Sequence, residues 1–391
     1  MALLFFNPWN DLALAADDPH YTPPASARQM AQDLAEFPLL WAQPDDFILH
    51  PDGIVIDAQN KLALNSQLST LNYQILPWGW SPLLVCQLRD WGIDESLLPS
   101  VEQMEAYRTA SSRQTAVCLL EHLQRKWPEP FDKGLLVGTS SWCTTEEEVA
   151  AAVAAYGGSA VLKAPWSSSG RGVKKLSTVN PPLSTLNPQP STLNPQLSPW
   201  IRRTLRCQGG VEVEPLYYNK VVDFAVEYWS EGGQVRDESL SLFTTTEGGV
   251  YSGNLVASEE EKVRRLSAYI SPALLAETRS QLVDLLNEAF HSGLLPAWYT
   301  GPLGIDMMIC QTPLSTPSPP PQLSTLNSQL STLNSQFSTF NLHPFIELNL
   351  RMTMGWVALQ LSKTLQPHET RRFRIVQEGG RYHYELNDTL E

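Results

Sequence analysis

The chain has 391 residues, 42% of them hydrophobic, and a formal net charge of -14. That length can hold two or three domains with real cores, and that charge argues against a nucleic-acid partner gripped by bulk electrostatics. No apolar run is long enough to span a bilayer, and five widely spaced cysteines without a C-x-x-C fit reduced thiols in the cytoplasm better than a disulfide framework or zinc site.

The opening Met1-Ala-Leu-Leu-Phe-Phe lacks a basic flank and is too short for a signal peptide, so it reads as a first strand. A helix follows at 26–34 with Ser26 as a candidate cap, and 81–88 suits a strand or a short helix. Asn7, Asn10 and Asp11 directly follow the first strand, where α/β folds place ligand loops. A helix cap plus a turn explains the same three residues equally well.

Residues 101–126 read as one helix, with Met104, Tyr107, Ala110, Val117, Leu120 and Leu123 apolar and Arg113 within it. A short strand is predicted at 134–138. The clearest helix is 144–158, where Thr145 and Glu148 form a capping box and Gly157 can close the end. A strand at 159–164 carries Lys163 and runs into a loop holding Ser168, Ser169, Gly170, Arg171 and Gly172. Such a loop can offer N–H groups and hydroxyls to a phosphate, although it is not a Walker A loop. By itself it reads more plainly as a solvated turn.

Further strands are predicted at 210–218, at 221–229 with Asp223 interrupting it, at 241–246, at 250–256 and at 301–310, where Asp306 is buried among apolar neighbours. A helix is predicted at 272–290, and a hairpin about Gly379 and Gly380 ends the chain. The segment 343–351 holds Glu347, Asn349 and Arg351 at alternate places of an apolar strand, hence on one face. Burying them needs partners, and two oxygen ligands beside a cation suit Mg²⁺ bridging to phosphate.

A seven-residue unit, Leu183-Ser-Thr-Leu-Asn-Pro-Gln189, recurs with small changes from Leu323 and again from Leu330, and a fragment stands at 64–72. Its leucine spacing mimics a coiled coil, but Ser, Thr, Asn and Pro are poor helix formers and no charges flank the leucines. These are low-complexity insertions, at about 177–198 and 312–342, expected to be disordered loops. Without the second, the Asp306 strand and the Glu347 strand become neighbours in one hairpin.

Taken in order, Lys163 before a Gly-rich loop, Val213-Glu-Pro-Leu216, Asp223, Asp306 and Glu347-Leu-Asn349-Leu-Arg351 resemble the motifs of the ATP-grasp superfamily, which includes D-alanine–D-alanine ligase and biotin carboxylase. The resemblance covers about 100–360; Leu303 and Gly304 depart from it, since some relatives carry an Arg there. It implies an α/β (α+β) fold: an N-terminal α/β domain at 1–100, then ATP-grasp lobes at 101–215 and 216–391. It implies ATP and Mg²⁺ (or Mn²⁺) as cofactors, with Asp306, Glu347 and Asn349 on the metal. Nucleotide contacts would be Arg113, Lys163, the loop residues Ser168 to Gly172, Glu214 and Leu216 at the adenine, and Asp223 at the ribose. Lys163 and Arg351 would be catalytic.

The implied activity is a Mg-ATP-dependent ligase that activates a small-molecule carboxylate as an acylphosphate for an amine and releases ADP. Neither nucleic acid nor membrane is expected as a partner. A non-catalytic ATP-binding or regulatory protein of the same fold is the alternative, and an α/β protein whose buried acids merely pair with arginines is a third reading. The substrates and the oligomeric state are not fixed by these motifs.

Overall fold

The structure, a computed structural model, describes residues 1–62, 73–167, 172–176, 197–217, 220–246, 249–312, 339–366 and 368–388. Ser168, Ser169, Gly170, Arg171 and the seven-residue repeats lie outside the described residues. The mixed α/β architecture expected from the sequence is present, arranged in three sheets.

The first sheet has the order β3-β2-β1-β4, from β1 (Ala2–Phe5), β2 (Phe47–Leu49), β3 (Val55–Asp57) and β4 (Gln74–Pro77). β1 runs parallel to both β2 and β4. All four of its residues are buried, as an unbroken apolar run in a parallel sheet requires.

The second sheet is antiparallel, in the order β5-β8-β6-β7: β5 (Ser141–Cys143), β6 (Ala160–Lys163), β7 (Val173–Leu176) and β8 (Val211–Pro215). The helices Glu146–Ala155 and Ser198–Gln208 cover it, and Val149, Leu162, Ile201 and Val213 form its core. Thr145 and Glu148 make the predicted capping box. The helix Ser198–Gln208 was not foreseen, because its apolar positions are thinly spaced among arginines.

The third sheet has seven antiparallel strands in the order β13-β12-β9-β10-β11-β14-β15. They are β9 (Lys220–Glu231), β10 (Gln234–Thr245), β11 (Tyr251–Val256), β12 (Gly301–Thr312), β13 (Thr339–Asn349), β14 (Arg371–Glu378) and β15 (Arg381–Asp388). Gly379 and Gly380 turn the last hairpin with φ of 57° and 81°, which only a residue without Cβ adopts cheaply. The insertion edges predicted at 312 and 342 are strand instead: Thr312 pairs with Thr339, and Ile309 with Leu342.

One core joins the first and third sheets. Phe5, Tyr107, Leu120, Leu286 and Ile305 belong to it, so the first hundred residues share their interior with the rest of the chain. A second cluster packs Phe6, Phe37 and Trp78 against Phe373 and the helix Met354–Ser362. Phe37 stacks on Phe373 with ring centroids 6.0 Å apart.

The helix predicted over 101–126 is two helices, Val101–Ala110 and Arg113–Lys126. Ser112 breaks it by capping the second, its side chain accepting from the Gln114 N–H. The 26–34 helix begins at Ala25 with Pro24, not Ser26, in the cap position. Residues 134–138 form no strand beyond a single bridge from Leu136 to Leu342. Residues 81–88 resolve as the helix Pro82–Asp90, capped by Ser81. Among the described residues no helix is long and apolar enough to cross a membrane.

Candidate functional site

The hairpin of β12 and β13 sets Asp306 directly opposite Glu347 and Gly304 opposite Asn349. Positions 304 and 306, and 347 and 349, therefore share one face. Asn349 Nδ2 donates to Asp306 Oδ1 at 3.2 Å. Arg351 was expected to continue that face, but the strand ends at Asn349 and Arg351 lies beyond it. Its guanidinium forks onto Asp11, Nε at 3.0 Å and Nη2 at 2.9 Å.

β6 and β8 supply a second group. Lys163, at the end of β6, is buried and donates to Glu214 Oε2 at 2.8 Å and to the Ile346 carbonyl at 3.4 Å. Glu212 stands 3.6 Å from the same amine. Arg113 is the first residue of its helix, where the break at Ser112 aims it into the cleft. It donates to the Ala164 carbonyl at 2.6 Å, to Ser167 Oγ at 2.7 Å and to Glu347 Oε1 at 2.7 Å. Arg113 Nε and Glu212 Oε2 approach to 3.8 Å, and neither has a hydrogen-bond partner among the described residues.

Burial lowers the Lys163 amine, but Glu212 and Glu214 outweigh it and hold its pKa above the ordinary value. Burial raises Glu347, but Arg113, Lys163 and Arg351 outweigh it and hold the carboxyl below its usual range. Asp306 moves the other way: burial, then Glu347 and Glu227, push it well up. Glu227 on β9 is raised to about 7 by burial, against a single hydrogen bond from Thr353 Oγ1 at 2.8 Å.

Arg113, Lys163, Glu227, Asp306, Glu347, Asn349 and Arg351 line a cleft of about 540 Å³, together with Asn10, Asp11 and Thr353. A side pocket of about 230 Å³ shares Lys163 and Asp306 with it and is lined by Glu214, Leu216, Tyr217 and Asp223. Asp223 is held there by Lys220 and by Thr245 Oγ1 at 2.8 Å. Gly172 lies just before β7, its carbonyl accepting from the Ala164 N–H at 2.9 Å. A side chain at Gly172 would strike Ser167, with Cβ 2.3 Å from Cβ. Of the residues singled out by sequence, Arg113, Lys163, Gly172, Glu214, Leu216, Asp223, Asp306, Glu347, Asn349 and Arg351 are all described; the structure brings most of them to these two connected cavities.

Among the described residues no group of three or more His, Cys, Asp or Glu side chains is placed to hold a metal ion. Asp306, Glu347 and Asn349 nevertheless offer two carboxylates and a carboxamide, a hard oxygen set of the kind Mg²⁺ takes. The charge on Asp306 is poorly compensated, and a divalent cation between the strands would relieve it. The residues present fit such an ion.

Three residues in or beside the cleft were missed by sequence reading. Glu212 shares a strand face with Glu214 two places on, so the alternation rule would have found it. Glu227 is an acid in an apolar strand, the same signal that singled out Asp223 four residues earlier. Ser167 shows no signal apart from its place beside the Gly-rich loop.

No family model matches the chain, and no curated protein matches it. Solved structures are similar to it at low identity. Phosphoribosylamine–glycine ligase from Thermotoga maritima is 11% identical with a TM-score of 0.47, over 97% of this chain and 81% of that one. N5-carboxyaminoimidazole synthetase from Staphylococcus aureus, complexed with ADP, is 12% identical with a TM-score of 0.45, over 96% of this chain and 82% of that one. An ATP-grasp superfamily protein from Archaeoglobus fulgidus is 11% identical with a TM-score of 0.43, over the whole of both chains.

Proposed function

We propose that this chain is an ATP-grasp ligase that activates a carboxylate as an acylphosphate, passes it to an amine and releases ADP. The observation that carries the reading is the meeting of three cations, Arg113, Lys163 and Arg351, with Asp306, Glu347 and Asn349 in one cleft. They come from widely separated parts of the sequence, and surplus acids remain among them for a cation to offset.

In this reading the side pocket takes the nucleoside, with Glu214 and Leu216 at the base and Asp223 at the ribose. The phosphates extend towards Lys163 and Arg113, which exchange their carboxylate partners for phosphate oxygens. Mg²⁺ or Mn²⁺ held by Asp306, Glu347 and Asn349 supplies charge neutralisation at the phosphates. Arg351 orients the substrate carboxylate, whose oxygen attacks the γ-phosphorus as the bond to ADP breaks. The amine then forms a C–N bond to the acyl carbon, and inorganic phosphate leaves. Positioning and electrostatics supply the catalysis, and no protein nucleophile is required.

The test is coupled ADP release against a panel of paired carboxylates and amines, beside a thermal-shift titration with Mg-ATP. ADP release that depends on both substrates supports the reading. A Mg-ATP shift with no ADP release for any pair favours the non-catalytic nucleotide-binding alternative. No shift at all ends both.

A further inference from the structure

One carboxylate of the cleft has no part in the ligase steps. Glu227 lies midway along β9 and is 1% exposed. Thr353 donates to its Oε2, and no donor among the described residues reaches Oε1. The carboxylate is seated by close approach to two glycines: an added Cβ would lie 2.0 Å from Oε1 at Gly355 and 2.9 Å from Oε2 at Gly304.

The nearby cations are committed elsewhere. Lys262 Nζ is bonded to Ser239 Oγ and the Leu240 carbonyl, each at 2.8 Å, and faces Glu259 at 3.6 Å. Arg351 is forked onto Asp11. Glu227 is also outside any metal-holding group of acids among the described residues. A buried carboxylate with one hydroxyl donor is under-compensated, and a cationic ligand would offset the deficit. The cleft around it is walled by Phe6, Met30, Trp78, Met354 and Ile375, which favours an apolar body on that ligand. Glu227 is close enough to Arg351 and Asp306 for their charges to act on one another.

We propose that Glu227 is the floor of an ammonium subsite for the amine substrate, a primary amine carrying an apolar group. Its place in the reaction rests on the ligase reading; the subsite itself is read by binding alone.

The test is calorimetric titration of the full chain, without nucleotide, with phenethylamine and with its neutral counterpart phenethyl alcohol. Wild type is expected to prefer the amine by about tenfold or more. Glu227→Gln, which keeps size and removes charge, erases the preference while circular dichroism stays native. Gly355→Ala, whose Cβ would push the Glu227 carboxylate from its seat, erases it too and gives an independent check should the first variant misfold. Equal affinities in wild type, or a preference that survives in either folded variant, overturns the proposal. Mg-ATP thermal shifts on the same proteins separate the two ideas. Amine preference without a nucleotide shift keeps the subsite and ends the ligase reading, and a nucleotide shift without amine preference does the reverse.

Discussion

Arg351 and Asp11 are joined by two parallel hydrogen bonds, at 3.0 and 2.9 Å, across 340 residues of sequence. The pair ties the helix Asn10–Ala16 to the segment just after β13, so a residue from the first turn of that helix sets the direction of a guanidinium in the cleft. Two-pronged pairing fixes the plane of the guanidinium as well as its position. In the proposed reaction, a substrate carboxylate reaching Arg351 would share it with Asp11.

Asp11→Ala leaves that mostly buried guanidinium without its carboxylate. Stability in urea is expected to fall by about 2 kcal/mol, with Asp11→Asn between the two. A midpoint unchanged in Asp11→Ala would remove the structural role given to the pair.

Lys163→Met strips Glu212 and Glu214 of their shared cation. The expected loss is about 3 kcal/mol near pH 8, shrinking towards pH 5 as Glu214, raised by burial to about 7, takes up a proton. Mg-ATP no longer shifts the melting temperature of this variant. Denaturation at both pH values, with and without nucleotide, reads both effects.

Glu347→Gln keeps an acceptor for Arg113 but removes one of the negative oxygens proposed to hold the metal. Titrating Mg²⁺ at fixed ATP is expected to need at least about tenfold more metal for the same thermal shift. An unaltered Mg²⁺ midpoint would take Glu347 out of the metal set.

Glu227 is raised from 4.5 to about 7 in the fold. A raised carboxyl contributes its stability below the unfolded value of 4.5, and that contribution is lost as pH climbs through 7. Glu227→Gln has no such loss. Relative to wild type it should gain on the order of 3 kcal/mol between pH 4 and pH 8, measured by chemical denaturation. A flat difference across that range would contradict the assignment.

Gly355 lies inside the helix Met354–Ser362, where alanine would ordinarily add up to about 1 kcal/mol of helix propensity. Here a Cβ would meet Glu227 Oε1 at 2.0 Å and Ser241 Oγ at 2.4 Å. Gly355→Ala should therefore destabilise, by about 1–3 kcal/mol. A gain in melting temperature would show that the helix can shift to make room.

Much of this was legible in the sequence, for identifiable reasons. Asp306 and Glu347 stood out because an acid in an apolar strand needs a partner, and removing a repeat placed one strand beside the other; the structure pairs them in register. Thr145 and Glu148 were legible because a capping box is local. The break at Ser112 was not, because the apolar stripe continues across it, yet it is what aims Arg113 at Glu347. The Arg351–Asp11 pair is set by tertiary packing alone, so Asp11 could be singled out only as part of a polar cluster after a strand. Glu227 was readable by the rule that found Asp223, but its meaning depends on two glycines brought to it by other elements.

The aromatic cluster of Phe6, Phe37 and Trp78 has a consequence for the order of synthesis. Its covering ring, Phe373, and the flanking Tyr382 and Leu386 are translated long after it. The first sheet can pair early, but this cluster lacks that cover until the β14–β15 hairpin leaves the ribosome. Contacts this distant in sequence make for slow closure. A nascent chain halted before residue 371 should therefore carry an exposed aromatic face, the kind of surface that chaperones hold.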